Sequence, residues 1–173
     1  MGAPAMTQKA SVNVHATCVR MDRAGATFGA PRDAGVLLLG NSSAGKSDLA
    51  LRLIALGATL VADDRTDLYV WGGRLYARAP ARLAGLIEVR GIGILKLPHA
   101  PRARIALVVE LGQGAARLPG HRCYRPPAAL GLAANAAPPI VKIAPFEASA
   151  PAKIVAATAA WAHGLYRDTF NPT

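Results

Sequence analysis

At 173 residues and 52% hydrophobic content, the chain is long enough to bury a full core in one domain. Its 17% charged content excludes a disordered polyelectrolyte. The formal charge of +10, from 20 Lys and Arg against 10 Asp and Glu, admits phosphate, an acidic protein or nucleic acid as partner. Because the basic residues are scattered, with few aromatics between them, a nucleic-acid groove is disfavoured. Cys18 and Cys123 lack metal-binding or C-x-x-C spacing and read as reduced thiols of a cytoplasmic protein. No signal-peptide core and no stretch of ~20 apolar residues is present, so no membrane association is expected.

Residues 1–10 read as a flexible tail ahead of a single domain over 11–173. Residues 11–19 alternate and are rich in β-branched side chains, which predicts a strand. A turn over 22–25 is expected to return 26–28 as a hairpin partner. Residues 36–39 form an apolar run, expected as a buried strand. The next eight residues, Gly40, Asn41, Ser42, Ser43, Ala44, Gly45, Lys46 and Ser47, fit G-x-x-x-x-G-K-[ST]. Such a loop turns successive backbone N–H groups inward around phosphate oxygens, while its Lys reaches the β and γ phosphates and its Ser can hold Mg²⁺. The helical spacing of Leu49, Leu53 and Leu56 predicts a helix over 48–56 whose N-terminus faces the phosphates, with Gly57 just past its end.

Residues 59–62 predict a short strand ending at Asp63-Asp64. Strands over 67–71 and 74–77 flank Gly72 and Gly73 as a hairpin. Residues 80–85 suit one helical turn, and 86–90 alternate as a strand broken by the glycines at 91 and 93. Residues 104–111 are apolar enough for a central strand. The Gly-, Pro- and Ala-rich stretch 112–139 reads as a long irregular connection, a kind of loop that is usually functional. A last strand over 140–143 and a final alanine-rich helix over 148–166 complete the chain. The expected class is α/β, a P-loop nucleotide-binding domain with a mixed central β-sheet and flanking helices.

In a chain with so few carboxylates, each one at a strand end is informative. If the strands are sheet neighbours, Asp63 and Asp64 meet the phosphates at the carboxyl edge, where one could hold Mg²⁺ and the other take a proton from an incoming hydroxyl. Their alternative is a strand-capping Asp-Asp turn. Glu88, in an otherwise apolar strand, is either a metal ligand or the partner of Arg90 on a solvated face. His15 is either structural or an acid/base group. Several arginines, among them Arg102, Arg104, Arg117, Arg122 and Arg125, could stabilise a transferring phosphoryl group.

Three motifs in order resemble the catalytic domain of HPr kinase/phosphorylase: the loop at 40–47, Leu60-Val61-Ala62-Asp63-Asp64-Arg65, and the signature-like Leu86-Ile87-Glu88-Val89-Arg90-Gly91-Ile92-Gly93-Ile94. The resemblance runs from about residue 15 to 143. It implies an ATP- and Mg²⁺-dependent kinase that phosphorylates a serine of HPr, the small phosphocarrier of the sugar phosphotransferase system, with homo-oligomers in the family. It assigns Lys46 and Ser47 to nucleotide and metal, Asp64 with Asp63 to the base, Glu88 to the metal, His15 to the active site, and Arg117 to the transferred phosphate. The basic loop that the family uses for phosphorolysis is replaced by 143–148, without the expected arginines. The resemblance is therefore to a short form in which kinase activity comes first.

Two other readings stay open from the residues alone. One is a small-molecule P-loop kinase with a lid drawn from 112–139. The other is a non-catalytic nucleotide-sensing or basic binding module.

Overall fold

The computed structural model describes residues 10–165. The expected tail, apart from Ala10, and the last residue of the expected final helix lie outside it. Nine strands and two α-helices follow in the order β1 (Ser11–Arg20), β2 (Ala34–Leu39), α1 (Lys46–Ala55), β3 (Thr59–Ala62), β4 (Arg65–Trp71), β5 (Arg74–Arg78), β6 (Leu86–Val89), β7 (Gly93–Lys96), β8 (Ala103–Leu111), β9 (Ile140–Ile143) and α2 (Ala150–Ala162). The chain is a mixed α/β protein.

β1 is the seam of the sheet. Residues 16–20 pair antiparallel with β2, while residues 18–20 pair with β3 and residues 11–15 with β4 on the other edge. β3 and β4 are therefore one long strand interrupted at Asp63 and Asp64. The register shift of this edge lies at Val61, opposite the step from Cys18 to Val19, while Asp64 adopts a φ of 60°. β3 ends at Ala62 as expected, and Asp63-Asp64 is a break at unchanged register whose left-handed Asp64 re-aims the side chains.

The remaining pairings close a ring. β2 runs parallel to β8, β8 meets β5 antiparallel at residues 103–104, β5 pairs with β4, and β4 returns to β1. β9 adds in parallel along the carboxyl half of β8. Because side chains alternate along a strand, the ring separates two cores. Ala16, Cys18, Leu37, Leu68, Leu75 and Val108 pack on one side. Val36, Leu38, Leu107 and Val109 face the other, where Leu49 and Leu53 of α1 and Ile154 of α2 cover them. β2 is buried on both faces, which is why its sequence is an unbroken apolar run. Burial in the first core pushes the Cys18 thiol pKa up, whereas Cys123 is exposed, and both cysteines are free.

Two expectations about elements are corrected. Residues 26–28 form a 3₁₀ turn, not a strand, because β2 on one side and β3 on the other already occupy both edges of β1 there. Residues 93–96 are a strand that the glycines concealed. Gly91 and Gly93 turn the chain back, so β6 and β7 form a separate two-stranded sheet with Glu88 opposite Ile94. The final helix is shorter than expected, and α1 begins at Lys46, so Lys46 and Ser47 lie in its first turn. Among the described residues no helix is long and apolar enough to cross a membrane.

Leu53 is fully buried between the sheet and α2, whereas Ile94 is 72% exposed. Leu53→Ala is expected to lower the unfolding free energy by about 2–5 kcal/mol in urea titration, and Ile94→Ala by about 0.5 kcal/mol or less.

Candidate active site

The loop between β2 and α1 has the local geometry its residues demand. A Cβ on Gly40 would lie 2.8 Å from the Ala44 Cβ. Gly45 takes a φ of 88° as the residue before α1, and a Cβ there would lie 2.9 Å from Phe146 Cζ. Both glycines are required by close approach, and Gly45 also by its left-handed backbone. The free N–H groups and positive dipole end of α1 thus open onto the loop. Lys46 is buried, and its Nζ donates to the carbonyls of Gly40 at 2.8 Å and Asn41 at 2.9 Å. Burial lowers the Lys46 pKa, and the charges of Asp64 and Asp63 oppose that shift.

The break between β3 and β4 divides its two carboxylates between two jobs. Asp63 is buried, and its Oδ1 accepts from Thr17 Oγ1 at 2.8 Å and from Ser47 Oγ at 2.8 Å. Its Oδ2 accepts from the Glu88 N–H at 3.1 Å. One carboxylate therefore ties together β1, the first turn of α1 and β6. Thr17 Oγ1 in turn accepts from the Asp64 N–H at 3.4 Å. The left-handed backbone at Asp64 turns the next side chain outward. That side chain is 66% exposed, with Oδ1 2.9 Å from His15 Nε2 and Oδ2 3.9 Å from Arg65 Nε. The condition that the strand before the loop and the strand before the aspartates be sheet neighbours is not met, since β1 lies between β2 and β3. The two ends still converge because Thr17 bridges them.

A cavity of about 350 Å³ opens at this point, and His15, Lys46, Ser47, Asp64, Glu88 and Arg90 line it together. Ser42, Ser43 and Gly45 of the loop also reach it. Gly40 and Asn41 face an adjoining depression with Glu110 and Arg122, and Ala44 packs into the core beside α1. Asp63 stands behind the cavity wall. Arg117 is exposed in the 112–139 segment and is not among the lining residues. The expected alternative of Arg90 paired with Glu88 gives way to a long contact of 3.5 Å from Arg90 Nη2 to Ser43 Oγ.

Among the described residues no three His, Cys, Asp or Glu side chains cluster as a ready-made metal cage. Mg²⁺ does not need one, since it takes one or two protein oxygens and completes its shell with water and phosphate. The Ser47 hydroxyl and the Glu88 carboxylate on the cavity wall are a donor set of that kind.

Sequence reasoning missed Thr17, Arg90, Leu51 and Phe146. The signal for Thr17 lay in the alternation of β1, which puts it two residues from His15 on the same face. Phe146 had no local signal. Removing the buried carboxylate leaves two hydroxyls and an N–H without an acceptor. Asp63→Ala is therefore expected to destabilise the fold by roughly 1–3 kcal/mol in urea titration, and Asp64→Ala by about 1 kcal/mol or less.

A family model described as the HPr Serine kinase C-terminal domain matches residues 27–115. Among curated relatives, the HPr kinase/phosphorylase of Aromatoleum aromaticum is 44% identical over 95 residues, covering 50% of this chain and 29% of the relative. That of Chromobacterium violaceum is 50% identical over 64 residues, covering 36% of this chain and 20% of the relative. The chain thus spans less than a third of the length of these relatives. Among solved structures, the Hpr(Ser) kinase/phosphatase from Coxiella burnetii superposes with a TM-score of 0.65 at 23% identity, covering 89% of this chain and 97% of that chain. The likeness is one of fold, and it extends beyond the segment in which the sequences align.

Proposed function

The chain belongs to the HPr serine kinase C-terminal domain family, and on that premise we propose that it transfers the γ-phosphoryl group of ATP to a serine of the phosphocarrier protein HPr. The observation that carries this reading is the exposed Asp64 carboxylate, held by His15 at 2.9 Å, on the same cavity as Lys46 and Ser47. A phosphate loop alone serves many chemistries. An oriented carboxylate open to an incoming hydroxyl beside that loop suits transfer to an alcohol.

The loop N–H groups and the α1 N-terminus bind the phosphate chain. Lys46 exchanges the carbonyls of Gly40 and Asn41 for phosphate oxygens within reach of its side chain. Asp64 accepts the proton of the serine hydroxyl as its oxygen bonds to the γ-phosphorus, and the bond from that phosphorus to the β–γ bridging oxygen breaks, leaving ADP. His15 fixes the carboxylate that receives the proton. Ser47 and Glu88 would hold Mg²⁺, whose chemistry is to neutralise charge on the phosphates. Arg117 is proposed to approach the transferred group from the 112–139 segment. The 144–148 segment carries no arginine, which supports the forward reaction over phosphorolysis. Two free cysteines support a cytoplasmic setting.

The test is transfer of label from γ-labelled ATP to purified HPr, with melting temperature as the folding control. Asp64→Asn is expected to slow transfer by about 10²–10⁴-fold while leaving the melting temperature near that of the parent. Lys46→Ala is expected to abolish transfer. Full labelling by both variants, or ATP turnover on a metabolite with none on HPr, would overturn the proposal.

A further inference from the structure

The cavity has a face that the phosphoryl-transfer chemistry does not use. Leu51 stands four residues beyond Ser47 on α1, one turn further along the same side of the helix, about 6 Å from the phosphate loop along the axis. Beside it is Phe146, from the turn between β9 and α2. Its ring rests against Gly45 yet is 66% exposed. A large aromatic face open in a cavity that Lys46, Asp64, Glu88 and Arg90 also line is costly to leave in water, and it matches a ligand with one anionic and one aromatic end.

The turn that carries this ring is fastened to the phosphate-binding helix itself. Arg52 Nη1 donates to the Pro145 carbonyl at 2.7 Å, and Nη2 to the carbonyls of Glu147 at 2.8 Å and Ala148 at 3.3 Å. The Glu147 carboxylate is also paired with Lys153 of α2. The backbone on both sides of Phe146 is thus fixed relative to α1 before any ligand arrives.

We propose that Phe146 is the platform on which the base of the bound nucleotide stacks, with Arg52 as the residue that positions it. This rests on the nucleotide reading given above and adds to it what recognises the base. The phosphate loop grips the anionic chain and reads nothing of the base. Stacking on a pre-set ring supplies that recognition through the π-face that every base presents.

The test is titration calorimetry of the full chain with MgATP and, separately, with magnesium tripolyphosphate, which has the phosphate chain and no base. Phe146→Ala and Phe146→Leu are expected to weaken ATP by about 5- to 100-fold, the range for one base–aromatic stack, and to leave tripolyphosphate within about twofold. Phe146→Trp is expected to retain ATP affinity, with indole fluorescence quenched by ATP and not by tripolyphosphate. Arg52→Met should give the same split between the two ligands. An equal loss for both ligands in Phe146→Ala would mean that the ring only props Gly45, and an unchanged ATP affinity would mean that it does not touch the base; either overturns the proposal. Failure of the parent protein to bind either ligand would instead bring down the nucleotide reading on which it rests.

Discussion

The fold and the site both depend on one buried carboxylate. Asp63 accepts from Thr17 on β1, from Ser47 in the first turn of α1, and from the backbone of Glu88 on β6. A carboxylate is tolerated in that position only because hydrogen bonds replace its lost water. That requirement fixes the relative placement of three elements, each of which delivers a group to the cavity. β1 brings His15, α1 brings Lys46, and β6 brings Glu88. The buried carboxylate is thus the group that registers the rest.

The left-handed break between β3 and β4 explains how adjacent, identical side chains come to do opposite work. In a regular strand Asp63 and Asp64 would point to opposite faces, one of them into the apolar core beside Cys18 and Ala62. The left-handed backbone at Asp64 turns its carboxylate out to His15 instead, and the Asp64 carbonyl still accepts from the Ala16 N–H at 3.2 Å. Asp is among the residues that adopt this conformation at small cost, which makes it suitable at this position on conformational grounds as well as chemical ones.

The parts of this arrangement that rest on local periodicity were legible in the sequence. The apolar run of β2, the glycine-spaced loop, the leucine stripe of α1 and the hairpin at Gly72 and Gly73 each encode their element through neighbours in the chain. What was not legible depends on distant pairing. Asp63-Asp64 follows the end of β3 as it reads, but nothing local shows that residues 65–71 continue along the same edge of β1. The stretch 26–28 looks able to pair, but the edge it would need is taken by β3, a segment more than thirty residues later. Glu88 stands out in the sequence as a carboxylate in an apolar strand, yet the role of its backbone N–H in holding Asp63 is invisible in a list of side chains. Phe146 sits against Gly45 only because the ring of strands carries β9 to the far edge of β8, beside the phosphate loop.

The resting position of Lys46 completes the physical picture. Its ammonium bridges two carbonyls of its own loop, so the loop is held in shape by the group that must later leave those carbonyls for the ligand. An N–H···O=C bond from a charged donor contributes about 1.5–3 kcal/mol, and exchanging it for a bond to a phosphate oxygen loses nothing in kind while gaining opposite charge. Desolvation lowers the pKa of this amine, with Asp64 and Asp63 as the opposing influence. A phosphate chain in the cavity acts in the same sense as those carboxylates and strengthens the protonated form. Binding and protonation at Lys46 are therefore linked with a positive sign: the ligand favours the charged amine, and the charged amine favours the ligand.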